Sequence, residues 1–192
     1  MSERFENLKK IPDEPAARMM AMAKVKFQHK LTSPASADVP TVLQELDEAK
    51  ATFDMLNLLA VALPAREAVW WSCLAARDLV GEASAPPLEA AEAWVHEPND
   101  DNRDAAQYAA QDADIDDDTP LCALAALYAD GTMGTGALAE HPAPPGAVAH
   151  LVAGMNMLAL DAMAAEAPDH GSVLVDRALD IARGGNGRLD KE

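Results

Sequence analysis

Residues 63–80, LPAREAVWWSCLAARDLV, restrict the fold more than any other stretch of this chain. Pro64 suits the first turn of a helix, where its missing N–H has no partner to lose. Glu67 lies in that first turn, where negative charge favours the helix dipole, and Gly81 stands where a C-cap belongs. Between them come Val69, Trp70, Trp71, Cys73, Leu74, Ala76 and Leu79. Neighbouring helical residues point about 100° apart, so Trp70 and Trp71 cannot share one narrow stripe. A helix apolar over so wide an arc must be covered on several sides. The segment therefore reads as the central helix of an all-helical domain, with Trp70, Trp71 and Cys73 in its core.

The rest of the chain fits that frame. Helical spacing covers residues 16–27, 40–62 (as one helix or two), 64–80, 88–95, 100–111, 120–129, 145–167 and 172–183, and no stretch shows sustained strand alternation. Asn99 or Asp100 is positioned to cap one of these helices, and Pro120 opens another. Residues 131–145 are rich in Gly and Pro and read as an irregular connection. The expected fold is all-α: a single irregular helical bundle, or a short array of helical hairpins, of about seven to eight helices. Trp94 belongs to its core. Gly154, inside the longest helix, costs roughly 1 kcal/mol against Ala and so is expected to mark a close helix–helix approach.

Charge divides the chain. The formal net charge is −17, yet residues 1–30 carry seven Lys/Arg against four Asp/Glu, while the remainder has eight basic and 28 acidic residues. Residues 1–30 are read as a basic N-terminal arm with a short helix, 31–183 as an acidic helical domain, and 184–192 as a flexible tail. The arm either folds back onto the acidic body or meets a partner. The overall negative charge opposes binding to nucleic acid or to an anionic membrane. The opening MSERFENLKKIPDEP contains no apolar run of the secretory kind, so a cytoplasmic location is expected. Cys73 and Cys122 then stand as reduced core thiols.

Chemistry-bearing motifs are sparse. The chain lacks HExxH, GxSxG, a P-loop, a dinucleotide fingerprint and any Cys/His cluster with zinc spacing. No cofactor, metal site or catalytic set is therefore expected. The acidic run DADIDDD places Asp112, Asp114, Asp116, Asp117 and Asp118 close together. Its alternate carboxylates resemble a calcium loop, but Asp117 and Ala123 stand where that loop needs Gly and a bidentate Glu. The run reads as a solvated loop and as the candidate partner-binding surface. His96 and Glu97 are sequence neighbours at a helix end, which gives no fixed acid–base geometry. Arg103 is expected to pair with an acid or with helix C-terminal carbonyls.

The block LPAREAVWWSCLAAR at residues 63–77 resembles a family of uncharacterised bacterial helical proteins associated with type VI secretion gene neighbourhoods. Trp94, Pro98 and NRDAA at 102–106, then GAVAHLVA from Gly146, are similar to the same family. Together these blocks span about residues 40–165. The resemblance implies a cytoplasmic accessory role, such as an adaptor or a chaperone for a secreted effector, and carries no catalytic residue. The expected function is thus protein binding, with another protein, such as an effector or toxin, as partner. An immunity-like inhibitor of a basic toxin is an alternative, and an enzyme using His96, Glu97 or Arg103 near Trp94 is another. An exposed apolar groove would favour the adaptor, a strongly acidic convex face the inhibitor, and a deep pocket of convergent polar groups the enzyme.

Overall fold

The computed structural model describes residues 3–189. Among these residues the chain forms nine α-helices: α1 (Ala16–Met22), α2 (Val39–Glu48), α3 (Thr52–Ala62), α4 (Ala65–Val80), α5 (Pro86–His96), α6 (Asp100–Gln111), α7 (Pro120–Leu127), α8 (Ala147–Met163) and α9 (His170–Arg183). Short 3-10 turns occupy Glu3–Phe5 and Gly136–Glu140, and the irregular connection holds one isolated bridge between Thr132 and Pro142. The all-helical expectation holds, with slightly more helices than expected.

The higher count comes from residues 40–62, which form two helices. α2 ends because Lys50 adopts a left-handed backbone, with φ +55°, and the Ala51 N–H turns back to the Leu46 carbonyl at 2.8 Å. The same closure ends α1, where Lys24 has φ +56° and the Val25 N–H donates to Met20 O at 2.9 Å. It ends α9 as well, with Gly184 at φ +107° and Gly185 N–H donating to Asp180 O at 2.9 Å. This is the bonding of a Schellman turn, in which orphan carbonyls of the last turn find donors beyond the helix. Glycine is the usual residue there, and two of the three positions hold lysine instead.

α4 is central, packing against α5, α7, α8 and α9. Trp71 is fully buried, and its indole N–H donates to Leu174 O of α9 at 2.9 Å. Cys73, Ala75, Ala76 and Trp94 are buried too, and Cys73 and Cys122 are both free thiols. Alanines at 68, 75, 91, 106, 123, 126, 159 and 178 are fully buried, so helices approach closely and the large side chains fill the gaps between them.

Three sequence expectations are corrected. Trp70 lies at the rim of the core. It is half-buried, its N–H donates to Asn186 O at 2.7 Å, and the Arg188 guanidinium sits 5.4 Å from its ring. Within the flexible tail expected over 184–192, residues 186–188 therefore pack down, and Gly187 N–H adds a bond to Asp180 at 2.9 Å; residues 190–192 lie outside the described residues. Gly154 is not a tight approach: a Cβ there would meet Leu121 Cδ1 at 3.7 Å, an ordinary contact. At the start of α8, Gly146, with φ +75°, is the tight one: a Cβ there would come within 2.2 Å of the backbone oxygen of Ala23.

The basic arm folds back. Phe5, Leu8, Ala16 and Met20 are buried in the common core. Arg4 bridges Asp47 at 2.6 Å and Asp176 at 2.9 Å, and Lys10 pairs with Glu67 at 2.8 Å. Apolar burial supplies the larger part of that docking, since partly exposed ion pairs contribute about 0–1 kcal/mol each.

Candidate functional site

Beyond the left-handed Lys24, the chain runs without helix through residues 24–31, KVKFQHKL. Val25, Phe27, His29 and Leu31 turn towards the protein, while Lys24, Lys26 and Lys30 are exposed. This alternation of two is the pattern of an extended segment with one face covered. The expected helix over 16–27 instead stops at Met22, where the left-handed Lys24 turns the chain out of the helix and into this extended segment.

The segment is held in place from beneath. Asp54 of α3 is 1% exposed, and its carboxylate accepts the Gln28 N–H at 2.9 Å and the His29 N–H at 2.7 Å. A buried carboxylate needs such donors. Further along, Glu45 of α2 accepts from the backbone and hydroxyls of Thr32 and Ser33. The Ser33 hydroxyl, then the Thr32 N–H, hold the Glu45 carboxyl down at about 2.

Between α1 and this segment lies an open groove of about 600 Å³, lined by Ala17, Met20, Ala21, Val25, Phe27 and Leu31. Lys24, Lys26 and His29 form its polar edge. The side chains of Lys24, Lys26 and Lys30 make no ion pair or hydrogen bond among the described residues. Met22, 64% exposed, lines a different depression, shared with Pro12, Met19 and Val61. An apolar trough with unneutralised cations along its wall suits a segment that is apolar at its centre and acidic at its flanks.

The loop expected to meet a partner is elsewhere, between α6 and α7. Asp112, Asp114, Asp116 and Asp118 are exposed and make no side-chain contact among the described residues. Asp117 differs from them: its carboxylate accepts the Thr119 N–H and hydroxyl, both at 2.7 Å, and so fixes the approach to α7. Ile115 is 100% exposed among these aspartates, and Tyr108, 64% exposed, lies on the last turn of α6. Among the described residues no three His, Cys, Asp or Glu side chains converge as a metal-binding group.

His96, Glu97 and Arg103 are not brought together. Arg103 is buried and caps α7, donating to Leu127 O at 2.7 Å through Nη2 and at 3.1 Å through Nε. Its fork also grips Asp130, at 2.5 and 2.8 Å, which matches the structural reading. Glu97 is exposed. His96 lines a separate open cleft of about 390 Å³ beside Trp70, shared with Lys10, Arg66, Glu67 and Glu92. The charges there are engaged: Lys10 with Glu67, Arg77 with Glu92 at 2.6 Å, and Arg66 with Val95 O at 2.7 Å. Trp94 is buried and does not line that cleft.

Two polar features escape sequence reasoning. Asp78 of α4 is gripped by Arg177 of α9, with Nη2 donating at 3.0 Å, and His170 Nε2 lies 3.2 Å from the same carboxylate without a hydrogen bond. Cys73 of α4 and Cys122 of α7 are buried free thiols close to one another, and burial, followed by the neighbouring Cys122, pushes the Cys73 thiol well above its ordinary range. Both pairings join residues distant in the chain, and no local spacing announces them.

The model of DUF6931, a family of unknown function, matches residues 42–182. The chain belongs to the DUF6931 family. No curated protein and no solved structure matches it. The DUF6931 region holds α4, the Arg103 cap and the 112–118 loop. It begins at Val42, so α1 and the lysine segment lie outside it. No described helix of this DUF6931 protein is long and apolar enough to cross a membrane.

Proposed function

We propose that this DUF6931 protein is a cytoplasmic protein-binding module, an adaptor or effector chaperone linked to type VI secretion. One observation carries the reading: the apolar groove between α1 and residues 24–31, edged by lysines without partners. Its walls are fastened in advance by Asp54 and Glu45, so a ligand orders little of the protein on entering. The fitting partner presents a short apolar segment flanked by Asp or Glu. The cleft beside Trp70 supports an enzyme less well, because its ionic groups are occupied by one another and by helix-end carbonyls.

The exposed aspartates of 112–118, with Ile115 among them, favour a second surface for a basic protein, as an immunity-like inhibitor would use. An adaptor with one basic and one acidic surface can join two partners.

A photo-crosslinking amino acid at Phe27, introduced in native cells, tests the groove. The expected product is a discrete adduct whose partner peptide carries acidic and apolar residues, lost when Lys24, Lys26 and Lys30 are all changed to Glu. A partner from the secretion apparatus would support that link. No adduct, or adducts indifferent to the charge reversal, would overturn the groove reading.

A further inference from the structure

We infer that the lysine-edged groove receives the 112–118 loop of a second copy of this chain, with Ile115 in the trough and the surrounding aspartates against Lys24, Lys26 and Lys30. This rests on the reading of the groove as a protein-binding site, and it names the occupant.

The two surfaces complement one another in each respect that matters for docking. One is an apolar trough edged by cations; the other is a 100% exposed isoleucine set among carboxylates. Neither set of charges is spent inside the chain. Lys24, Lys26 and Lys30 have no partner among the described residues, and neither do the side chains of Asp112, Asp114, Asp116 and Asp118. Both surfaces are also fastened from within, one by Asp54 to the Gln28 and His29 N–H groups, the other by Asp117 to Thr119. Docking therefore costs little ordering.

A body of net charge −17 repels its copies at long range. At physiological ionic strength the screening length is about 8 Å, so that repulsion fades while directly apposed charges still attract. At about 1 M salt the length falls to about 3 Å and the local attraction weakens too. The contact is heterologous, groove to loop, and so joins copies head to tail or reciprocally in a pair. A single loop in a groove of this size makes a small interface, hence a weak and reversible one.

Sedimentation equilibrium on the full chain at about 150 mM salt tests this, up to about 200 μM protein to reach weak association. The weight-average mass is expected to rise with concentration above the monomer, towards the dimer or beyond, and to fall back near about 1 M salt. Ile115→Asp disables the loop, and the triple change Lys24→Glu, Lys26→Glu, Lys30→Glu disables the groove. Each change is on the surface, and circular dichroism confirms the fold. Each variant alone is expected to stay monomeric. Mixed in equal amounts they should form a one-to-one dimer and nothing larger, because one supplies an intact groove and the other an intact loop. A wild-type chain that stays monomeric, or variants that associate as the wild type does, overturns self-association. If a Phe27 crosslinker then still captures an acidic segment of another protein, the groove reading stands alone. If it captures nothing, both readings fall.

Discussion

Trp71 spans the core from α4 to α9, its indole N–H donating to Leu174 O at 2.9 Å with the ring fully out of solvent. One side chain thus fastens residues about a hundred positions apart. Trp71→Ala should cost about 3–5 kcal/mol, the range for deleting a large core aromatic. Trp71→Phe should cost less, because most of the volume remains. Urea unfolding measures both, and an unchanged midpoint for Trp71→Ala would contradict this place in the core.

Gly154 and Gly146, both associated with α8, should respond oppositely to alanine. At Gly154 the added methyl meets an ordinary contact at 3.7 Å, so Gly154→Ala should stabilise by up to about 1 kcal/mol through helix propensity. At Gly146 the methyl would sit 2.2 Å from Ala23 O on a left-handed backbone, so Gly146→Ala should destabilise and loosen α1 from α8. Thermal melts of the two variants separate the cases.

Lys50 carries a left-handed backbone that costs a non-glycine residue about 1–2 kcal/mol. Lys50→Gly should therefore raise the melting temperature, partly offset by the greater freedom of glycine in the unfolded chain. A lower melting temperature would mean that the lysine side chain itself matters at that stop.

Glu45 gives the acid limb of stability a defined sign. Its folded value, about 2, lies below the ordinary 4.5 because Ser33 and Thr32 donate to the carboxylate. A depressed folded value contributes stability that is complete above about 4.5 and is lost as pH falls toward about 2. Glu45→Gln should flatten the stability profile across that window and leave the profile near neutrality parallel to wild type. The carboxylate lies at the surface, half-covered by residues 32 and 33, so the effect is modest and declines with salt.

Much of this fold is legible in local sequence signals. Asn99 caps α6 by accepting the Asn102 N–H at 2.8 Å, and Pro120 opens α7, both at positions their chemistry favours. The adjacency of Trp70 and Trp71 announces a helix covered on several sides. It does not say which ring faces inward, and that depends on residues 186–188 closing over Trp70. The stops at Lys24 and Lys50 are hidden for a different reason. Lysine carries no left-handed preference, so tertiary packing imposes those turns on an unfavourable residue. At the candidate site, the alternation KVKFQHKL is present in the sequence, but the apolar run from Met19 to Phe27 reads as helix when Lys24 is assumed to continue it. The groove also needs Asp54, which lies on α3. The 112–118 loop was legible as a solvated acidic segment. The inward turn of Asp117 and the full exposure of Ile115 were not, because both depend on the start of α7.

The groove and the 112–118 loop of a second copy are matched as an apolar trough edged by lysines and an apolar residue flanked by acids. Fluorescence anisotropy of a labelled peptide with the sequence of residues 108–119, titrated with the full-length protein at about 150 mM salt, tests that match most directly. Saturable binding is expected, weakening at least tenfold, roughly 1.4 kcal/mol, when Lys24, Lys26 and Lys30 are changed to Glu. Absence of saturation, or equal affinity for the wild-type and charge-reversed proteins, would contradict it.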